Sequence, residues 1–336
     1  MPIWRFPTLV LVSIGIGSAY FAAARNEAVA QEPQFSGGQV GGQVIDAQRR
    51  MELRTTDSAV SMPTGRASPS KVNPGVDVLT LSGPSESRAR RIEKVLASLD
   101  KLRTTYRVSG DGKLEAAALL QIGTCYGALG QMQKAIDQYK DALSIWQQLK
   151  DSPGEASALA HIGDVYRLWV FPDRALPFYE ESLPLYQLAN DSPSRAAVLN
   201  NIALSYMALR KKSKTFQYLR AALATYNDLK DETGQAATLC NFGSAYNAWH
   251  DGKRALEYLA QALPLMQAAG NRVNEAAVLN DMGFAYATLH DRQNALARYQ
   301  QARMIFRELK DSESESAVVR NMDHIDSPEK TYMALR

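Results

Sequence analysis

The sequence predicts an all-α protein, a solenoid of about five helix hairpins, and three regularities carry that prediction. Tyr126, Tyr166, Tyr206, Tyr246 and Tyr286 recur at an unbroken spacing of 40. With 15 Tyr in 336 residues, four further hits at one spacing arise by chance roughly four times in a million. The same register aligns Leu119, Leu159, Leu199, Leu239 and Leu279, and a small residue at Gly123, Gly163, Ala203, Gly243 and Gly283. Asp111, Asp151, Asp191, Asp231, Asn271 and Asp311 share the period, and Asp or Asn there suits a turn or helix N-cap.

Within each unit, positions 119, 122, 123 and 126 follow the i, i+3, i+4, i+7 stripe of a helix facing a core. Ala135, Tyr139, Ala142, Trp146 and Leu149 do the same for a second helix. Full units cover 111–150, 151–190, 191–230, 231–270 and 271–310. Val95, Leu99, Leu102 and Tyr106 place residues 86–110 as the second helix of an incomplete repeat. Residues 311–326 supply only a first helix, ahead of a tail at 327–336. A solenoid needs such caps at both ends.

Some positions depart from the pattern. Thr215 replaces a small Ala, Leu219 and Leu259 replace an aromatic, and Arg303 stands where other units carry Leu. Pro184 and Pro264 fall inside second helices, where a modest kink is expected, and Pro177 should make the second repeat the least regular.

Residues 1–30 read as a bacterial export signal. Arg5 supplies the positive start, Phe6 to Ala24 the apolar run, and Ala28-Val29-Ala30 a cleavage site before Gln31. The run is long enough that a retained membrane anchor is the alternative. The expected destination is therefore periplasmic or secreted. Residues 31–85, rich in Gly, Ser, Pro, Thr and Gln, read as a disordered linker. The two cysteines, Cys125 and Cys240, sit three repeats apart, too far for a disulfide, and read as helix-packing residues.

The chain is 46% hydrophobic and 22% charged, with a formal net charge of +3. That gives an ordinary ordered fold without the basic field that nucleic acid requires. Arg210, Lys211, Lys212 and Lys214 form the one dense basic cluster, read as a solvated turn between helices.

Leu119, Ile122, Gly123, Tyr126, Ala135, Tyr139 and Ala142 resemble the tetratricopeptide-repeat pattern, and the resemblance extends over about residues 86–325. The 40-residue unit is similar to that of Pins-type adaptors, kinesin light chains and the repeat arms of bacterial caspase-like CHAT peptidases. The resemblance implies a right-handed superhelix whose concave groove binds an extended segment of a partner protein. It leaves a second reading, a regulatory arm for a separately encoded hydrolase.

No catalytic signature accompanies the repeats: G-x-S-x-G, H-E-x-x-H and C-x-x-C are all missing from the sequence. Gly110-Asp111-Gly112-Lys113 superficially matches a phosphate loop, but Arg107 and Leu114 occupy positions that need Gly and Ser or Thr. His161, His250, His290 and His324 are spread along the repeats rather than converging, so neither a metal nor another cofactor is expected. The expectation is a non-catalytic scaffold, with no membrane contact beyond a possible N-terminal anchor.

On the first helix of each unit, positions 117, 120, 121, 124 and 128 lie opposite the core stripe. Of these 25 residues only Asp164 and Asp281 are charged, whereas a merely solvated face should carry more charge. Amides and small polar groups take the remaining polar places, and Gln121, His161, Asn200, Asn201, Asn241, Ser244, Asn280 and Asp281 are the candidate partner-binding residues. An Asn amide can donate to and accept from an extended backbone. The resemblance to Pins-type adaptors assigns peptide contact to the register of Gln121, His161, Asn201, Asn241 and Asp281, with Asn201 and Asn241 foremost. The alternative is that these amides hydrogen-bond between neighbouring helices.

Overall fold

In the computed structural model, which describes residues 88–326, the helices begin at the repeating Asp and Asn. Asp111, Asp151, Asp191, Asp231, Asn271 and Asp311 each accept a hydrogen bond from the backbone N–H three residues on, at 3.0–3.1 Å. That satisfies one of the donors a helix start leaves open. The backbone N–H of Asp151 also donates to the carbonyl of Trp146 (3.0 Å), and those of Asp191 and Asp231 donate to Tyr186 and Tyr226. One Asp thus closes the helix behind it and caps the helix ahead.

Among the described residues, the helices are α1 (Arg88–Ser109), α2 (Gly112–Ala128), α3 (Met132–Leu149), α4 (Ser152–Leu168), α5 (Pro172–Leu188), α6 (Ser192–Ala208), α7 (Lys212–Leu229), α8 (Glu232–Ala248), α9 (Gly252–Ala268), α10 (Arg272–Thr288), α11 (Arg292–Glu308) and α12 (Ser312–Asp326). None is long and apolar enough to cross a membrane. The expected export signal, linker and C-terminal tail lie outside the described residues.

Every twentieth residue from Gly110 to Lys310 adopts a left-handed backbone, with φ between 53° and 74°. Gly suits such a position and Lys, Arg, Asn and His tolerate it, but a β-branched side chain is strained there. Val170, at φ 66°, is that case. Val170→Gly is expected to raise stability by about 1 kcal/mol, because it removes a left-handed penalty larger than the added chain entropy. Thermal unfolding reads the effect, and a lowered melting temperature would show that packing by the Val170 side chain outweighs its strain.

The described helices fall into two compact units, one ending at Leu209 and one beginning at Arg210. In the first, α2 pairs with α3 and α4 with α5 as hairpins, while α1 packs on α2, α3 on α4 and α5 on α6. In the second, α8–α9 and α10–α11 are hairpins, α7 packs on α8, α9 on α10, and α12 closes on α11. The first helix of each repeat is called the A helix and the second the B helix.

The predicted A-helix stripe is buried in both units, at Leu119, Ile122, Leu159, Ile162, Leu239, Phe242, Leu279 and Met282. Gly123, Gly163 and Gly283 are small because the ring of the paired B helix lies flat on them. A Cβ on Gly163 would stand 2.7 Å from the Tyr179 ring, and one on Gly283 2.7 Å from Tyr299. Gly154 and Gly234 serve the contact between hairpins, receiving Trp146 and Tyr226 from the preceding B helix. Where Leu259 takes the aromatic place, it packs on Gly243, and neighbouring Tyr258 stacks on Phe242 at 4.6 Å.

Other departures also find physical reasons. The Thr215 hydroxyl returns to the carbonyl of Lys211 in its own helix (3.1 Å). Arg303 meets Glu315 of the terminal α12 (3.2 Å), with Arg307 beside it (3.0 Å), so an ion pair replaces the usual Leu contact. One expectation fails at the B-helix end: Leu149 is 42% exposed, because α3 stops there and the left-handed Lys150 turns the chain away. Despite Pro177, Pro184 and Pro264, α5 and α9 run unbroken for 17 residues. All three rings lie on the exposed face, where water can satisfy the carbonyls they leave unpaired.

Candidate functional site

The inner faces of the A helices place the candidate residues in two groups, one per unit. In the first unit, Asp164 of α4 is the centre of a polar network. Its Oδ1 accepts from the Tyr179 hydroxyl (2.6 Å) and from Asn201 Nδ2 on α6 (2.8 Å). Arg167 donates to the same Tyr179 hydroxyl (3.3 Å) and lies 4.0 Å from Asp164. Burial holds the Tyr179 phenol well above its ordinary pKa, so it stays a donor to the carboxylate.

Asn201 therefore ties the A helices of the second and third repeats together. Asn201→Ala is expected to cost about 1–3 kcal/mol, since Asp164 loses a donor at a half-buried position. Urea unfolding measures this, and an unchanged midpoint would show that water replaces the amide without loss. His161 is half-buried, its Nδ1 2.7 Å from the carbonyl of Ser157 and its ring 5.1 Å from that of Tyr139. Gln121 presents a buried Oε1 without a hydrogen-bond donor, and Asn200 is buried.

In the second unit the sign of the tie is reversed: the later repeat carries the carboxylate. Ser244 on α8 donates to Asp281 Oδ2 on α10 (2.5 Å), and Asn247 Nδ2 donates to the Asp281 backbone carbonyl (2.9 Å). Asp281 is 4% exposed. Burial pushes its carboxyl up to about 7, against the opposing pull of the Ser244 hydroxyl. Asn280 Oδ1 accepts from Asn321 of α12 (2.9 Å). Asn241 is 1% exposed, and its Oδ1, like that of Asn247, has no donor.

The two ties share one spacing, Asp164 to Asn201 and Ser244 to Asp281, each 37 residues. A polar pair 37 apart was present in the sequence and would have pointed to hydrogen bonds between repeats. Asn321 and Asn247 were missed. Asn321 continues the register of Asn201 and Asn241 into the terminal half-repeat, while Asn247 shares with Arg167 a register otherwise held by Gly127, Met207 and Ala287. Both cysteines are buried thiols on A helices, and burial raises Cys125 to about 11.

A search of curated protein sequences gives no match. The tetratricopeptide-repeat family model matches residues 114–188 and 234–308. Among solved structures, BtubC (BKLC) from P. vanneervenii shares 22% identity over 65% of this chain and 92% of its own, with a TM-score of 0.58. A Rap protein complexed with competence and sporulation factor is similar at 16% identity, over 66% of this chain and 77% of its own, with a TM-score of 0.51. So is a signal-transduction ATPase with a tetratricopeptide-repeat sensor from Pyrococcus horikoshii, at 13% identity over 74% of this chain and 44% of its own, with a TM-score of 0.52. At these identities the structural likenesses speak for the fold. Together with the 40-residue register, the capped hairpins and the glycine-on-tyrosine packing, the matched segments identify residues 114–188 and 234–308 as tetratricopeptide repeats.

Proposed function

We propose that the chain is a non-catalytic scaffold that holds an extended segment of a partner protein along the inner faces of its A helices, outside the cytoplasm. The observation that carries this reading is the make-up of those faces, amides and small polar groups with little charge, of which Gln121, His161 and Asn201 are only half-buried and within reach of a partner. A half-buried amide can both donate to and accept from the backbone of an extended chain, at about 0.5–1.5 kcal/mol net per hydrogen bond. The faces carry no Lys or Arg, so they do not demand an acidic ligand. The structurally similar Rap protein, seen in complex with competence and sporulation factor, supports the idea that this architecture receives a partner.

The test places a photo-crosslinking residue at the half-buried Gln121, and separately at the exposed Leu188, in the full chain. A partner recovered from position 121 and not from 188 supports the inner-face reading, whereas recovery from 188 alone removes it. Export is tested by N-terminal sequencing of the protein from its native envelope. A start at Gln31 is expected, and an intact Met1 in the cytoplasmic fraction would refute the export reading.

A further inference from the structure

The left-handed turns between A and B helices all fall on one edge of the second unit. Arg210 Nη1 donates to the carbonyl of Ala248 at the end of α8 (2.9 Å), and Lys212 Nζ sits 5.9 Å over the Trp249 ring. The next turn is as close, since a Cβ on Gly252 would stand 2.6 Å from the carbonyl oxygen of Ala285 in α10. Three turns, each 40 residues apart in sequence, therefore form one row.

Taken one turn at a time, the basic residues are a few local charges. Taken as a row they are a strongly biased surface. Arg210, Lys211, Lys212 and Lys214 stand at the first turn, Lys253 and Arg254 at the second and Arg292 at the third. Against these seven cations the row has two carboxylates, Asp251 and Asp291. Both of these accept a helix-start N–H, from Arg254 and Asn294, and Asp251 also pairs with the Arg254 guanidinium at 3.7 Å. On the opposite edge, acids outnumber bases, with Asp231, Glu232, Asp311 and Glu313 among them. Lys211, Lys212, Lys253 and Arg254 are exposed. Between the cations lie Trp249, half-buried, and Leu289, 46% exposed.

We propose that this basic turn edge docks on an anionic lipid bilayer. Lys and Arg gain from the negative surface potential of such a membrane, while Trp and Leu at the same depth gain from the interfacial apolar layer. A solvated acidic peptide offers the first gain but not the second. The apolar run Phe6 to Ala24 is read from the sequence as an export signal, with a retained anchor as the alternative, and the retained form would hold the chain beside a bilayer. The turn edge is separate from the inner faces of the A helices, so a partner segment and a membrane would be held at the same time.

The test uses the full chain with phosphatidylcholine vesicles, with and without about three parts in ten of phosphatidylglycerol. Hydrogen exchange resolves the answer by position, so any insertion of the N-terminal run does not confuse it. Exchange should slow at peptides covering 210–214, 250–254 and 290–292 on the anionic vesicles alone. The combined Lys211→Gln, Lys212→Gln, Lys253→Gln variant should lose that protection and about a hundredfold of the anionic contribution to partitioning, at roughly fivefold per charge. Its circular dichroism melt should match the wild type, as expected of exposed positions. Equal exchange on both vesicle types, or protection that survives in the variant, overturns the proposal. So does charge-dependent retention on polyglutamate without any protection on anionic vesicles, which would reassign the edge to an acidic protein.

Discussion

Tyr179→Ala is expected to destabilise the first unit by about 3–5 kcal/mol, the range for removing a large buried side chain. The ring is 0% exposed and lies on Gly163, so its removal opens a cavity inside the α4–α5 hairpin. The hydroxyl adds a second loss, because it donates to Asp164 and accepts from Arg167. Tyr179→Phe separates the two effects: it keeps the packing and should cost about 1–3 kcal/mol for the unpaired polar groups. Urea unfolding of both variants measures the difference. If the Phe variant were as unstable as the Ala variant, the polar network would dominate and the packing account would be wrong.

Raising the pH from about 4 to about 7 is expected to weaken the second unit by up to about 4 kcal/mol, through Asp281 alone. The sign follows from burial. The unfolded carboxyl ionises near its ordinary 3.8, whereas the folded one keeps its proton until about 7. The folded state therefore binds the extra proton across that window, and stability falls as pH rises through it. The described groups that sense its charge, Cys240 on α8 and Tyr299 on α11, supply no cation to reverse the effect. Asp291 and Glu315 are held below the usual carboxylate range by Asn294 and by Arg307 with Arg303, so they act in the opposite direction and below the same window. Asp281→Asn should remove most of the dependence between pH 5 and pH 8 and be the more stable form at the higher pH. A wild-type unfolding midpoint that rises across the interval, or a variant that falls just as steeply, would contradict this assignment.

Much of the inner face was legible and some of it was not. The register of Gln121, His161, Asn201, Asn241 and Asp281 is visible as a period, and so is the scarcity of charge around it. Which of these side chains face one another is not visible, because hydrogen bonding between repeats depends on the offset of one A helix against the next. That offset makes Asn201 a partner of Asp164, and Ser244 a partner of Asp281. Amides that the sequence offers equally to a ligand or to a neighbour are thereby divided: Asn201 is engaged, while Asn241 keeps an acceptor without a donor.

By itself the sequence determined the helical repeat, its length of 40, the capping Asp at each boundary and the core stripes, since all of these are local chemistry repeated along the chain. The tertiary structure decided what depends on distance across the repeats. The backbone repeats every 20 residues rather than 40, because A and B helices end in the same left-handed turn although their side chains differ. Burial raises Asp281 while its chemical twin Asp164 shares a donor network. The basic turn at Lys211 and Lys212 gains Lys253, Arg254 and Arg292 as companions only when consecutive hairpins stack. Periodicity states which residues recur, and packing alone sets which of them meet.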